Sequence, residues 1–294
     1  MRTYLDCIPC FLRQALGAAR VITDDIEIQR KVLNEVACLI PELPLDITPP
    51  EIAQQVYRIA YRITGSSDPY REEKRRANDR ALELYPGLKR RVAGSDQPLL
   101  AAVKLAIGGN SIDLGPTSSY ADISSIVSSA LSAGLSIDDY EGFHNSVAGA
   151  RKILYLGDNA GEIVFDRILV EEIRRVASDI RIDFVVRESP IINDATIDDA
   201  RYVGLDKEAG IVTSGSDAPA TVLAQCSKEV LELYRSADMI IAKGQGNYES
   251  MSLEEGNIFF LLKAKCRVIA GLLGVNIGDH VLKQQVPSPS GRRV

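Results

Sequence analysis

The sequence has no tryptophan, and aromatic residues make up only 6% of its 294 residues. Proteins that bind single-stranded nucleic acid stack the bases on exposed aromatic side chains, so this scarcity argues against that class. Lys and Arg number 34 against 40 Asp and Glu, which gives a net charge of −6. Such a chain has no overall positive field for nucleic acid or an anionic membrane, so we expect a small-molecule partner instead.

Long apolar segments and a dense set of cysteines are also missing. No stretch approaches the ~18 consecutive apolar residues of a membrane helix, and Met1–Asp6 is too polar for a signal peptide. Five unevenly spaced cysteines, an odd number, do not suit a disulfide-stabilised secreted fold. We therefore expect a cytoplasmic protein with reduced thiols, and the sequence leaves its oligomeric state open.

The first third of the chain has the periodicity of helices. Apolar residues recur there at three-to-four spacing, and prolines separate the repeating stretches. This pattern predicts a helical N-terminal domain over residues 1–105, with one helix at Tyr70–Leu84. The clearest apolar stripes are Ile28, Val32, Val36 and Leu39, and then Ile52, Val56, Ile59 and Ile63.

After Arg151 short aliphatic runs alternate with amphipathic stretches, which is the pattern of βα units around a mostly parallel sheet. We assign residues 106–286 to this α/β domain and residues 287–294 to a flexible tail. The predicted strands are Lys152–Leu156, Ile182–Val186, Gly210–Thr213, Met239–Ala242 and Arg267–Ala270. The predicted helices are Ser118–Ser136, Glu162–Ala177, Ile197–Val203 and Pro219–Ser236, and Asn257–Lys263 fits a strand or a helix.

Polar side chains follow the predicted strands, at the edge of the sheet where α/β proteins bind ligands. Asp158-Asn159 and Asn193-Asp194 follow two of them. Carboxylate and amide oxygens suit Mg²⁺ or Mn²⁺ and leave coordination positions for water and a substrate phosphate. The helix that starts near Gly161 presents free N–H groups to an anion, and Lys243 adds a positive charge. The alternative is that these residues merely form turns and cap helices.

The same segments resemble the metal-dependent damage-control phosphatases, a family also described as acidic-residue-methyltransferase-like. Two further segments resemble this family: its Gly-Asn-x-x-Asp-Leu stretch is matched at Gly109–Leu114, and the Cys-x-x-Cys of its prokaryotic branch at Cys7–Cys10. The resemblance covers Cys7 to about Asp279. The segments that carry it in the sheet region are Gly157–Glu162, Asn193-Asp194 and Lys243–Glu249.

The resemblance implies a Rossmann-like, three-layer α/β domain with a helical N-terminal part. It also implies hydrolysis of phosphate monoesters of sugars or damaged metabolites with a divalent cation. The expected cations are Mg²⁺ and Mn²⁺, with Co²⁺ and Ni²⁺ as further candidates. Better-characterised eukaryotic members have Asp where this chain has Gln245, so their substrate preference does not transfer. By position in the motifs, the metal ligands are Asp158, Asn159 and Asp194, the phosphate-facing lysine is Lys243, and the substrate-pocket residues are Asn110, Asp113, Gly161 and Asn247.

Two chemical routes are open for such a site. In one, the cation orients a water molecule for in-line attack on phosphorus, and Glu162 or Asp113 accepts a proton. In the other, Asp158 attacks directly and forms an aspartyl-phosphate. We favour the first route, because a carboxylate that already binds the cation is less available to attack phosphorus.

The cysteines suggest a second metal or redox site. Cys7 and Cys10 supply two thiols and Cys266 a third, with His144 or His280 as a fourth ligand of a structural zinc. The alternative is that these thiols bind nothing.

Two other functions compete with the phosphatase. An S-adenosylmethionine-dependent methyltransferase would have a similar fold, but Gly244-Gln245-Gly246 lacks the third glycine of a dinucleotide fingerprint and a clear following helix. A non-catalytic metal or redox protein would depend on Cys7 and Cys10 more than on Asp158.

Overall fold

A computed structural model describes residues 1–109 and 127–285. Its described strands form one sheet in the order β1-β7-β6-β5-β2-β3-β4, and all neighbouring pairs are parallel except β6 with β7. This confirms the predicted α/β class. The strands are β1 (Ile137–Asp138), β2 (Lys152–Leu156), β3 (Arg181–Val186), β4 (Gly210–Thr213), β5 (Met239–Lys243), β6 (Ile258–Lys263) and β7 (His280–Gln285).

The central strands β2, β5 and β6 are apolar over most of their length because helices cover both faces of the sheet. On β2, Tyr155 packs in one hydrophobic cluster and its neighbours Leu154 and Leu156 pack in another on the opposite face. The same alternation separates Ile241 from Ile240 on β5. The result is a three-layer arrangement of helix, sheet and helix.

The helices divide among three clusters of buried residues. The first face of the sheet is covered by α4 to α8, the second by α9 to α11, and α1 to α3 build a separate core. The helices are α1 (Cys7–Ile22), α2 (Ile26–Leu39), α3 (Pro49–Thr64), α4 (Arg71–Ala93), α5 (Pro98–Gly109), α6 (Tyr140–Gly149), α7 (Glu162–Val176), α8 (Ile197–Tyr202), α9 (Lys228–Ser236), α10 (Gly244–Met251) and α11 (Arg267–Leu273). None of the helices described is long and apolar enough to cross a membrane.

The core of α1 to α3 is connected to the sheet domain through the loop that follows β3. Ile191 from this loop is 1% exposed and is buried in the same cluster as Phe11 and Val56. The hydroxyl of Tyr61 on α3 accepts a hydrogen bond from the N–H of Ile192 at 3.0 Å. Helices α4 and α5 pack against the sheet instead, and the domain boundary near residue 105 stays a prediction.

Two predicted elements near the site are wrong. Arg267–Ala270 is the start of helix α11 and not a strand. The segment Asn257–Lys263, which fits a strand or a helix by sequence, forms strand β6 over Ile258–Lys263. The helix expected at Pro219–Ser236 begins only at Lys228, where the Ser227 hydroxyl accepts from the N–H of Val230 at 3.3 Å. Of the helix expected at Ser118–Ser136, residues 127–132 are helical and residues up to 126 lie outside the described residues.

The strand order reverses between β2 and β5. From β2 the chain moves outward through β3 and β4 on one side, and β5 and β6 lie on the other. In parallel sheets this reversal opens a crevice at the carboxyl ends of the two strands, because the following helices leave on opposite faces. The polar residues after β2, β3 and β5 therefore meet at this crevice.

Candidate active site

The two junctions that carry the predicted metal ligands are joined directly. Asn159 and Asp194 form an isolated antiparallel bridge. The N–H of Ala195 donates to the carbonyl of Asp158 at 2.8 Å. The side chains of Asp158, Asn159 and Asp194 line one cleft, so residues far apart in sequence can act on the same ligand.

Arg187, which directly follows β3, fixes the side chain of Asp194. Its Nε donates to Oδ2 of Asp194 at 2.8 Å, and its Nη2 donates to the carbonyl of Gly157 at 3.0 Å. The N–H of Ala220 also donates to Oδ2 of Asp194, at 3.3 Å, so these contacts leave Oδ1 for a ligand. Burial raises the pKa of Asp194, and the guanidinium of Arg187, itself 1% exposed, opposes this rise.

Lys243 lies in a buried ionic cluster with Glu162, Asp166 and Tyr155. Its Nζ donates to Oε1 of Glu162 at 2.7 Å and to Oδ1 of Asp166 at 2.6 Å, and the hydroxyl of Tyr155 donates to the same Asp166 oxygen at 2.9 Å. Burial raises the pKa of Asp166 to about 6 although Lys243 opposes it. Burial also lowers the pKa of Lys243, but Asp166 and Glu162 more than offset this effect and raise it.

The position of Lys243 corrects the role implied by the resemblance. A lysine that faces a substrate phosphate needs an open path to the cleft, whereas this side chain is 0% exposed and its charge is compensated by two carboxylates. Glu162, proposed as a proton acceptor, has both oxygens engaged: Oε1 by Lys243 and Oε2 by the Nδ2 of Asn159 at 3.2 Å. The buried ionic cluster therefore has a structural role in the core beside the cleft.

Gly161 is also placed differently from the prediction. Its N–H donates to Oδ1 of Asn78 on α4 at 2.6 Å, so this amide is used within the protein and does not face a substrate anion. The φ angle of Gly161 is 78°, in the region that glycine adopts at little cost. Asn78 is 1% exposed, and its Nδ2 donates to Oδ1 of Asp199 at 2.9 Å.

Asn247, predicted to bind substrate, instead connects three segments of backbone. Its Oδ1 accepts from the N–H of Thr221 at 2.7 Å, and its Nδ2 donates to the carbonyls of Lys243 at 2.7 Å and Gly157 at 3.2 Å. The side chain is 0% exposed, so no part of it reaches the cleft. It holds the ends of β2 and β5 at a fixed separation.

The cleft has a volume of about 700 Å³, which suits a small metabolite. One wall is formed by α1 and the first residues of α3, and the other by the segments that follow β2, β3, β4, β5 and β6. The predicted pocket residues Asn110 and Asp113 lie outside the described residues. The charged residues that line the cleft are Asp6, Arg13, Asp158, Asp194, Glu249, Lys265 and Arg267.

Three of the five cysteines line the same cleft, and they are the three thiols that the sequence suggests as a second metal or redox site. Cys7 and Cys10 lie on α1, and Cys266 precedes α11. Within residues 1–109 and 127–285, no three His, Cys, Asp or Glu side chains are arranged to hold a metal ion. His144 lines a separate cavity and His280 begins β7, so the structure does not bring either histidine into the cleft.

Gln245 and Glu249 on α10 connect the cleft to the segment that follows β6. The Nε2 of Gln245 donates to Oε1 of Glu249 at 2.8 Å and lies 3.6 Å from the Sγ of Cys266. The Oε1 of Gln245 accepts from the N–H of Lys265 at 2.9 Å. Burial raises the pKa of Glu249 to about 7, against the opposing hydrogen bond from Gln245.

We expect Glu249→Gln to remove part of the pH dependence of stability. The Glu249 carboxyl has a pKa of 4.5 in the unfolded chain and about 7 in the folded protein. The protonated Glu249 carboxyl therefore contributes fully to the stability of the folded protein below pH 4.5, and this contribution is lost as the pH rises through about 7. Urea denaturation at a series of pH values should show the variant gaining about 1–2 kcal/mol relative to the parent over this range. Parallel stability curves for the two proteins would contradict the assignment.

Three residues that organise the site have no distinctive sequence signal. Arg187 stands immediately after a strand, where its charge suggests a surface residue, and Asp166 has the position of an ordinary helix residue. Asn78 lies in a strongly charged helix whose sequence suggests a solvated face. Their burial and their hydrogen bonds with Asp194, Lys243 and Gly161 show their connection to the site.

Known proteins provide an independent comparison. Residues 3–281 match the damage-control phosphatase ARMT1-like domain. The chain is 36% identical to a damage-control phosphatase of Archaeoglobus fulgidus, covering 94% of this chain and 97% of that protein. It is 35% identical to a damage-control phosphatase of Pyrococcus horikoshii, covering 96% and 97%.

The fold has a close counterpart among solved structures. The crystal structure of a DUF89 family protein from Pyrococcus horikoshii superposes with a TM-score of 0.91 at 34% identity, covering 97% of this chain and 99% of that one. An uncharacterized protein of Methanocaldococcus jannaschii is 38% identical, covering 94% of this chain and 93% of that protein. With a match from residue 3 to residue 281, this chain belongs to the damage-control phosphatase ARMT1-like family.

Proposed function

We propose that this protein is a divalent-metal-dependent phosphatase that hydrolyses phosphate monoesters of sugar phosphates or of damaged phosphorylated metabolites. The observation that carries the proposal is the convergence of Asp158, Asn159 and Asp194 in one cleft. The family and the names of two relatives support hydrolysis of phosphate esters. The substrate is a small phosphorylated metabolite, in keeping with the volume of the cleft.

The donor set fits a hard divalent cation. Asp194 directs Oδ2 to Arg187 and Ala220, and Asn159 directs its amide nitrogen to Glu162, so each retains an oxygen for a ligand. Burial raises the pKa of Asp158 well above its usual range, Glu162 and Asp194 raise it further, and Lys265 opposes them. A cation among these carboxylates would offset the repulsion. Oxygen donors of this type favour Mg²⁺ or Mn²⁺, with Co²⁺ and Ni²⁺ as further candidates.

The bound cation would withdraw charge from a phosphoryl oxygen and orient water for attack. Neighbouring side chains of the protein orient the proposed metal ligands. Arg187 holds Asp194, and Glu162 turns the amide of Asn159 so that its oxygen is free to bind. In the reaction the bond from phosphorus to the leaving alcohol oxygen breaks and a bond to the water oxygen forms. The water loses one proton, and the leaving alcohol oxygen takes one up.

Water and Asp158 remain the two candidate nucleophiles, and we propose water. Acid quench of a single turnover separates the routes, because only attack by Asp158 leaves the phosphoryl group covalently bound to the protein. A phosphorylated Asp158 trapped by acid quench during turnover would contradict the water route.

Activity should depend on a divalent cation and select among phosphorylated metabolites. The test incubates the purified protein with p-nitrophenyl phosphate and a panel of sugar phosphates, with Mg²⁺, Mn²⁺, Co²⁺ or Ni²⁺ or with chelator. Release of phosphate in the presence of a cation, and its loss with chelator, is the expected result. Absence of hydrolysis with every cation would refute the proposal, and stabilisation by S-adenosylmethionine in a thermal-shift assay would favour the methyltransferase instead.

We expect the double variant Cys7→Ser, Cys10→Ser to retain hydrolysis within about fivefold of the parent. These thiols line the cleft but stand on α1, on a different element from the proposed metal ligands. The measurement compares kcat/KM and bound zinc in parent and variant, both purified without chelator. Loss of activity together with loss of stoichiometric zinc would support the cysteine-centred metal or redox protein instead.

A further inference from the structure

Strained backbone is concentrated beside one of the proposed metal ligands. Within residues 1–109 and 127–285, two residues other than glycine have a positive φ angle, Ile192 at 46° and Ala220 at 70°. A side chain makes this conformation unfavourable, so it persists only where surrounding contacts hold it, and it is concentrated at functional sites. Both residues line the cleft. Ile192 stands two residues before Asp194, and Ala220 donates its N–H to Oδ2 of that carboxylate at 3.3 Å.

The segment of Ala220 is held in place by the contacts of the next residue, Thr221. The N–H of Thr221 donates to Oδ1 of Asn247 on α10 at 2.7 Å. Its hydroxyl accepts from Nη1 of Arg187 at 3.3 Å, and Nε of the same guanidinium donates to Oδ2 of Asp194 at 2.8 Å. Thr221 is 0% exposed and Arg187 is 1% exposed, so solvent does not compete for these bonds. The two donors to Oδ2 are therefore parts of one buried network.

Gly246 on α10 leaves the space that the methyl group of Ala220 occupies. A Cβ atom placed on Gly246 would lie 3.0 Å from the Cβ of Ala220. This is closer than the roughly 3.5–4.0 Å at which two carbon atoms are in favourable contact. Since Thr221 is bound to the same helix, a side chain at position 246 would force the backbone of Ala220 to turn. Its hydrogen bond to Asp194 is already long at 3.3 Å, so a small displacement is enough to break it.

We infer that Ala220 is a positioning residue for Asp194, and that position 246 must be glycine because Ala220 needs the space beside it. This inference rests on the proposed phosphatase function and concerns the same metal site. Arg187 and the N–H of Ala220 both bind Oδ2, which leaves Oδ1 for the cation. The protein thereby fixes the orientation of the carboxylate before a cation binds, and contacts of this kind to a metal ligand raise metal affinity.

The test is a double-mutant cycle that compares the parent with Gly246→Ala, Ala220→Gly and the double variant. It measures Mn²⁺ affinity by calorimetry on metal-free protein, alongside thermal unfolding and hydrolysis of p-nitrophenyl phosphate. Gly246→Ala should weaken Mn²⁺ binding by about tenfold or more, because a contact that orients a ligand is lost. The double variant removes the clashing methyl group and keeps the N–H at position 220, where glycine adopts a positive φ at little cost. Its Mn²⁺ affinity should return to within about threefold of the parent.

Gly87→Ala is the matched control for Gly246→Ala. Gly87 lies within helix α4 and does not line the cleft, and a Cβ there would meet nothing within 4 Å beyond its own stretch of helix. It makes the same change of side chain and should leave Mn²⁺ affinity and hydrolysis at the values of the parent.

Thr221→Val disturbs the same network without a clash. It removes the hydroxyl that Arg187 binds and should weaken Mn²⁺ binding by about threefold or more. This variant decides the question if thermal unfolding shows that Gly246→Ala is not folded. Mn²⁺ affinity equal to that of the parent in the folded variant, or a double variant that binds as weakly as Gly246→Ala, would overturn the inference.

The positioning role and the phosphatase function fail in distinguishable ways. If the parent binds Mn²⁺ and hydrolyses p-nitrophenyl phosphate while Gly246→Ala matches it, the positioning role is refuted and the phosphatase stands. If the parent binds Mn²⁺ but hydrolyses nothing, the phosphatase is refuted, and recovery of affinity in the double variant still upholds the positioning of Asp194. A parent that binds no Mn²⁺ refutes the metal site and the positioning role together.

Discussion

Asp158→Ala should reduce cation-dependent hydrolysis of p-nitrophenyl phosphate by at least about a hundredfold while the protein remains folded. The substitution removes a cleft-facing carboxylate from the proposed metal site, and loss of metal-based charge stabilisation is worth several kcal/mol of activation energy. Removing a carboxylate whose pKa is raised by burial also relieves repulsion from Glu162 and Asp194, so stability should not fall. The measurements are kcat/KM at saturating Mn²⁺, calorimetric Mn²⁺ affinity and thermal unfolding.

Glu188→Ala is a matched control for Asp158→Ala. Glu188 follows β3 at the same edge of the sheet, but its side chain is exposed and does not line the cleft. Its substitution changes the net charge equally and should leave Mn²⁺ affinity and hydrolysis unchanged. Hydrolysis by Asp158→Ala at the rate of the parent would show that the metal site is elsewhere.

Lys243→Met should lower the free energy of unfolding by about 3–5 kcal/mol, because it leaves two buried carboxylates without their cation. Glu162 is 3% exposed and Asp166 is 0% exposed, so neither can be solvated in place. Urea denaturation at pH 7 measures the loss. The same change at the exposed Lys207 should cost little and serves as the control.

A compensating substitution distinguishes the buried role of Lys243 from a role in phosphate binding. In Lys243→Met combined with Asp166→Asn, one of the two uncompensated charges is gone, so part of the stability should return. If Lys243 instead contacted the phosphate, Lys243→Met would fold with the stability of the parent and lose only phosphate affinity. That result would refute the buried ionic cluster as a source of stability.

Much of the sheet is predictable because its strands obey one simple condition. A strand buried on both faces is apolar over most of its length, and β2, β3 and β5 satisfy this between recognisable turns, whereas β4 is a partly exposed strand at the edge of the sheet. The bridge between Asn159 and Asp194 follows from the same logic, since parallel strands place their carboxyl ends at one edge. Helix propensity adds the positions of α7 and α8.

Other parts of the site depend on tertiary contacts with no local pattern. Val268, Ile269 and Ala270 have the composition of a strand, yet they form a helix because β6 already fills the sheet position. With the strand expected at Arg267–Ala270, the sequence does not predict that the residues after β6, Lys265 among them, lie at the carboxyl edge of the sheet. The segment from Pro219 stays out of a helix so that the N–H groups of Ala220 and Thr221 can bind Asp194 and Asn247.

The sequence predicts at which end of a strand a polar residue lies, but it does not predict the direction in which its side chain turns. Lys243 is the last residue of β5 and Asn247 lies on α10, and both side chains turn inward to bind groups that the sequence alone does not place nearby. A lysine after a strand looks identical whether it meets a phosphate or a buried aspartate. Only the position of Asp166, one turn into α7, distinguishes the two cases.

The burial of Ile191 among α1 to α3 links assembly of the protein to the position of Asp194, a proposed metal ligand. The loop from Ile191 to Asp194 is anchored at one end in that helical core and at the other by Arg187. Ile192 has a φ of 46°, a conformation unfavourable for a branched side chain, so this loop needs its anchors to keep its shape. Undocking of the three amino-terminal helices would thus release Asp194, and cation occupancy should in turn make that undocking rarer.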